Sequence, residues 1–215
     1  MVRTFALVLA LLAAPLAAQT PVVPPPAPPM LGVAPAPRPA TVKVTLATSE
    51  GPIVLELESE RAPITTGNFL KYVDQKRLDG TSFYRATMVA KEPLFGLIQG
   101  GVKFDPKKVL PPIKHEPTTV TGLGHTDGTI SMARGAPGTA TADFFITIGD
   151  MPSMNADPKA PGDNQGFAAF GHVVEGMDIV RRILTAPTSP TAGVGPMKGQ
   201  MLAAPVKIET AKRVK

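Results

Sequence analysis

The chain has 215 residues, 43% of them hydrophobic, a formal charge of +5 and no cysteine. That length suffices for one domain with a proper core. The missing cysteine excludes disulfides, thiolate metal sites and cysteine nucleophiles. The mild basicity contains no lysine- or arginine-rich block with interleaved aromatics, so nucleic acid is not an expected partner.

The N-terminal segment reads apart from the rest. Met1-Val2-Arg3 is a short positive start, Phe5 to Leu12 is uninterruptedly apolar, and Pro15 to Ala18 is small and apolar. This is the pattern of a secretory signal peptide over residues 1–18, cleaved near Ala17 or Ala18. The alternative is a membrane anchor, but the apolar run is shorter than the ~20 residues a span needs. No stable membrane span is therefore expected, and no cysteine follows to carry a lipid. Residues 19–40 hold nine prolines. Such a tract favours extended polyproline geometry and reads as a disordered linker. The folded domain is expected over 41–215.

From Thr41 the pattern is mostly strand. Val42, Val44 and Leu46 alternate with Lys43 and Thr45; Ile53, Leu55 and Leu57 alternate with Val54, Glu56 and Glu58. With a turn at Ser49-Glu50-Gly51-Pro52 these runs make a hairpin. Pro63 suits the first turn of a helix that a nearby threonine caps. Phe69, Leu70 and Val73 form its apolar stripe, and Gly80 follows its basic end. Short strands are expected at Ser82–Arg85, Leu97–Gly100, Thr129–Met132, Phe144–Ile148 and Ala168–Val174. A second helix starts near Glu175-Gly176-Met177, with Ile179, Val180 and Ile183 on one face. Val206–Thr210 returns to pair with the first strand. Many short strands and only two helices predict a mainly β fold, a closed barrel capped by helices.

Four motifs carry chemistry: Phe83-Tyr84-Arg85, Ile98-Gln99-Gly100-Gly101, Ser131-Met132-Ala133-Arg134 and Phe144-Phe145-Ile146. Their order would set an arginine, a glutamine and an aromatic side by side on neighbouring strands. Alternation puts Phe144 and Ile146 on one face and Phe145 on the other. An arginine beside an apolar, polar-rimmed pocket can grip a peptide.

Together with Pro111-Pro112-Ile113-Lys114-His115-Glu116 and Phe170-Gly171-His172-Val173-Val174-Glu175-Gly176-Met177, these motifs resemble the cyclophilin family of peptidyl-prolyl cis-trans isomerases, in its bacterial exported form. The resemblance covers residues 41–215. It implies an eight-stranded antiparallel barrel with a helix over each end, a groove for proline-containing peptides, and no cofactor. By the same resemblance, Arg85 and Gln99 take the catalytic positions, with Leu97, Phe145 and Phe95 as the proline pocket. The backbone-binding edge falls on Ala133, Arg134 and Gly135. The implied protein is a monomer in the periplasm, with release from the cell left open, and it accelerates folding of exported proteins.

This chain departs from the family at several of those positions. Tyr84 stands where well-studied members have histidine. Asp143 stands where many have glutamine, and could pair with Arg85 and restrain it. Ser153-Met154-Asn155 lacks an aromatic at the groove's edge, a space that Met154 fills. Phe167 replaces a histidine or tyrosine. These departures keep open a rival reading, a peptide-binding module or chaperone with weak or no isomerase activity. Two loops are expected: Met88 to Phe95, beside the pocket, and Asn155 to Gln165, in solvent. His115, His125 and His172 match no zinc spacing and read as structural, so no metal is expected. Ser131 lacks the glycines of a nucleophile elbow. Glu56, Glu58 and Glu60 read as a solvated strand edge.

Overall fold

The computed structural model describes residues 40–103 and 105–214. The expected signal peptide, and the expected linker up to its last residue, lie outside the described residues. Ala40 does not belong to a free tether: its N–H donates to the Glu60 carboxylate at 2.7 Å and its carbonyl accepts from Ser59 Oγ at 2.8 Å.

The expected hairpin forms from β1 (Val42–Thr48) and β2 (Gly51–Leu57), in register from Val42 opposite Leu57 to Thr48 opposite Gly51. Its alternation is that of a strand with one face in the core: Val44, Leu46, Ile53, Leu55 and Leu57 are fully buried. Helix α1 (Pro63–Asp74) follows, then β3 (Thr81–Lys91), β4 (Leu94–Gly101), the single turn α2 (Thr118–Thr121), β5 (Thr129–Met132) and β6 (Phe144–Ile148). Next come β7 (Ala168–Glu175), α3 (Met177–Thr185), the two-residue β8 (Thr188–Ser189) and β9 (Met201–Arg213). The strands hydrogen-bond in the order β1-β2-β7-β5-β6-β4-β3-β9, and β9 pairs back onto β1. Eight strands thus close an antiparallel barrel, with β8 on the margin of β9. Closure leaves no long unpaired edge.

The interior is aromatic at its centre. Phe69 of α1 meets Phe144 edge-on at 5.4 Å and Phe170 at the same distance, and Phe83 meets Phe144 edge-on at 5.7 Å. Helix α3 closes its side with Ile179, Val180, Ile183 and Leu184. Strands β5 and β6 are buried along their whole length, and β4 along most of its length. Their inner face is core, so their outer face must also be covered.

Three expectations are corrected. The segment Met88–Phe95 is not a loop. It continues the β3–β4 ladder, with Met88 opposite Gly96 and Lys91 opposite Leu94, and turns at Glu92-Pro93. Backbone pairing here outweighs the sparse strand signal of the side chains. Glu58 is not solvated: it is 5% exposed and both of its oxygens accept from Arg61. Threonine does not cap α1 either. Glu116, arriving from the segment before α2, accepts from Ile64 N at 3.1 Å and from Thr65 N and Oγ1 at 2.6 Å each. Its carboxylate satisfies the orphan donors and complements the positive end of the helix.

Glu116→Ala leaves those donors unpaired in a buried place. It should destabilise the fold by about 2 kcal/mol, which thermal unfolding would read as a fall of roughly 4–8 °C in Tm.

Candidate active site

The outer faces of β3, β4 and β6 carry the site. Arg85 lies opposite Gln99, and Gln99 lies opposite Phe145. A register shift between Phe83 and Arg85 makes this possible, and it occurs in the pairings of β3 with both β4 and β9. Without it, residues two apart would face the same way. With Tyr84 as the extra residue, Phe83 enters the core and Arg85 faces out. Gly100 accepts this geometry because a Cβ there would lie 2.9 Å from the Phe83 ring.

The Arg85 guanidinium is held by two amides. Its Nη1 donates to Gln99 Oε1 at 2.7 Å; its Nε and Nη2 donate to Gln200 Oε1 at 2.8 and 2.6 Å. An arginine has five N–H donors. These three bonds leave one on Nη1 and one on Nη2. Burial pulls the Arg85 pKa below its ordinary value, yet a guanidinium stays charged at any working pH.

Gln99 is fixed in turn. Its Oε1 must face the arginine, which only donates, so its Nε2 points to Tyr84 Oη at 2.9 Å. Tyr84 is 3% exposed and stands behind Gln99, under the Lys103 ammonium at 5.6 Å from its ring. Burial, and then the carboxylate of Asp143, push its hydroxyl well above the tyrosine range. Asp143 does not pair with Arg85. Its Oδ1 accepts from Lys103 N at 3.0 Å, and burial raises its pKa. Gly101, at φ +135, lets it approach that closely, since a Cβ would lie 2.3 Å from its oxygen.

Leu97 and Phe145 are buried but belong to no part of the barrel core, as their place on the outer face requires. Phe167 meets Phe145 edge-on at 5.4 Å. Phe95 lies further along β4 with its ring against Gly149. Met154 ends a short turn, half-buried, and its carbonyl accepts from Phe167 N at 2.9 Å. Ala133 donates its N–H to the Asp143 carbonyl. Gly135 is engaged within its own loop: its N–H goes to Thr139 Oγ1 and its carbonyl accepts from Arg134.

Arg134 acts through its side chain. Nε and Nη2 donate to the Gly166 carbonyl, Nη1 and Nη2 grip Asp163 at 2.8 and 2.9 Å, and the guanidinium stacks 5.1 Å over Phe167. The clamp ties the irregular, mostly exposed segment 155–167 to the end of β5.

Two further residues matter that no local pattern marks. Gln200 is 115 positions from Arg85 in sequence. His125 stacks parallel to Phe145 at 5.9 Å. Asn155 Oδ1 accepts from His125 N and lies 2.7 Å from Nδ1, and Ser131 Oγ lies 2.9 Å from Nε2. An oxygen at Nδ1 assigns the proton there, so Nε2 accepts from the serine. Burial lowers the His125 pKa and so favours the neutral ring. The network explains Ser131 as a support rather than a nucleophile. Among the described residues no cluster of histidine and acidic side chains could hold a metal ion.

Asp163 is held by Arg134 and the Gln165 N–H, which lower its pKa to about 2. A carboxyl below its unfolded value favours the clamp above the unfolded pKa and loses it as pH falls towards the folded one. Carboxyl NMR should place the Asp163 midpoint near 2 and move it up towards the ordinary carboxylate range in Arg134→Ala, stopping short of it because the Gln165 N–H remains.

The family model for cyclophilin type peptidyl-prolyl cis-trans isomerases matches residues 42–213. A peptidyl-prolyl cis-trans isomerase of Streptomyces antibioticus is 40% identical over 174 residues, 79% of this chain and 96% of the relative. One from Acinetobacter baylyi is 38% identical over 154 residues, 70% of this chain and 76% of its own. Among solved structures, a cyclophilin type isomerase of Cryptosporidium parvum superposes with a TM-score of 0.63 at 21% identity, covering 82% of this chain and 99% of that one.

Proposed function

The chain belongs to the cyclophilin-type peptidyl-prolyl cis-trans isomerase family, and we propose that it accelerates X–Pro isomerisation in exported proteins as they fold, with Arg85 as the catalytic donor. One observation carries the role of Arg85: a charged guanidinium is pinned by neutral amides, with two N–H groups to spare, beside the Leu97–Phe145–Phe167 surface.

The chemistry follows from the amide bond. Rotation meets a barrier of about 18–20 kcal/mol because the C–N bond is partly double. Uncatalysed exchange takes tens to hundreds of seconds, slow enough to limit folding. In the planar ground state the prolyl nitrogen accepts nothing. At the twisted transition state it becomes pyramidal and gains a lone pair. A donor aimed at that nitrogen favours the transition state over both ground states, which is the condition for catalysis. The apolar wall holds the proline ring while the preceding carbonyl swings, and Gln99 steadies the guanidinium. A Cryptosporidium parvum relative was crystallised in the presence of the dipeptide Ala-Pro, and the same ring-sized ligand suits this wall. No step needs a cofactor.

The exported setting rests on the charged start and apolar run of residues 1–18 and on the lack of cysteine. The mature chain should begin near residue 19 in the periplasmic fraction, which N-terminal sequencing would read. An unprocessed N-terminus in the cytoplasm would remove that part of the proposal.

Arg85→Ala should cut kcat/KM on a short X–Pro peptide by about 10²–10³-fold, the usual loss for one preorganised donor, while peptide binding changes little. Arg85→Lys should recover little of it, because a point charge cannot span both amides. A wild-type protein that binds the peptide without accelerating exchange would instead be a binding module.

A further inference from the structure

We propose that Gln200 is a positioning residue for the isomerisation, an uncharged anchor that aims Arg85 without neutralising it. The proposal rests on the isomerase reading of Arg85 and goes beyond it to what sets the donor's direction and field.

Gln200 Oε1 takes three donors: Arg85 Nε at 2.8 Å, Arg85 Nη2 at 2.6 Å and Thr87 Oγ1 at 2.7 Å. The amide is itself fixed, since Nε2 donates to the Pro196 carbonyl at 2.9 Å, so the oxygen can face only the arginine. Its backbone is docked on the same strand, with Ala86 N donating to the Gln200 carbonyl at 3.0 Å. Gln99 holds a third N–H. Two amide oxygens therefore fix the plane of the guanidinium, and neither carries charge.

The choice of amide is the informative part. Of the six other described arginines, five (Arg61, Arg134, Arg181, Arg182 and Arg213) pair with carboxylates, and Arg77 donates to the Gln75 amide and to the Lys107 and Lys108 carbonyls, away from the groove strands. Arg85 has no carboxylate partner among the described residues, although Asp143 lies close by, behind Tyr84. A carboxylate in the place of Gln200 would accept the same hydrogen bonds. It would also cancel the positive charge that a developing lone pair needs, in a half-buried place where that charge counts most. A neutral acceptor gives the geometry and leaves the field intact.

Two substitutions separate geometry from charge. Gln200→Met keeps length and volume and removes the acceptor. It should lower kcat about tenfold, with KM within about twofold, since the interaction is used chiefly in the transition state. Gln200→Glu keeps the acceptor and adds the charge, and should lower kcat more than Gln200→Met does. Neither should reduce kcat further, beyond about twofold, in an Arg85→Ala background, where a purely structural loss would persist. Wild-type kcat in Gln200→Met, or an equal loss with and without Arg85, would overturn the positioning role. Wild-type kcat in Gln200→Glu would overturn the role of charge. A second readout needs no turnover: the Arg85 Nε–H resonance should exchange slowly in the wild type and fast in Gln200→Met. Fast exchange in the wild type refutes the anchor. Slow exchange in an inactive wild type keeps the anchor and refutes the isomerase reading instead.

Discussion

Phe83 and Arg85 are two residues apart, and an unbroken strand would point both to the same face. The core needs the phenylalanine and the groove needs the arginine. The bulge at Tyr84 resolves that conflict by inserting one residue against the β4 and β9 partners. The same bulge places the Tyr84 hydroxyl where it orients Gln99, and Gln99 then orients Arg85. The aim of the guanidinium is thus tied to the packing of the barrel, because undoing the bulge would expel Phe83 from contact with Phe144.

The barrel uses arginine in two opposite ways within one site. Arg134 is saturated: carbonyls, a carboxylate and an aromatic face occupy it, and the result is a fixed wall carrying Phe167. Among the described residues Arg85 is held by amides alone and keeps donors in reserve. In the proposed function, the first arrangement builds the surface for a proline ring, and the second leaves a cation for a group that acquires its lone pair only midway through rotation. Phe145 joins them, edge-on to Phe167 and stacked on His125. Burial lowers that histidine's pKa, so the floor of the site disfavours a charged ring.

Much of this was legible in residue order. The hairpin, the apolar faces of α1 and α3, and the glycines beside Gln99 follow from local periodicity and turn chemistry. The motif order resembled a known family and brought the barrel with it. The extended β3–β4 ladder was not legible. Met88–Phe95 has no clean alternation, and its strand character comes from pairing with itself across a turn. Glu58 read as part of a solvated strand edge, and Glu116 was marked only as the end of a motif, because sequence reports residue type but not burial. Each has its partner supplied by the fold, Arg61 in one case and the open end of α1 in the other.

By itself, then, the order of residues singled out Arg85, Gln99 and Phe145 as neighbours and predicted that strands would present them. Those are local matters of period and type. Only the tertiary structure decided that Asp143 serves the Lys103 backbone and Tyr84 instead of Arg85, that Arg134 works through its side chain, and that Gln200 closes the cradle. The reason is distance along the chain. A partner 115 positions away leaves no mark on a short window, and it meets Arg85 only because β9 returns beside β3 to close the barrel.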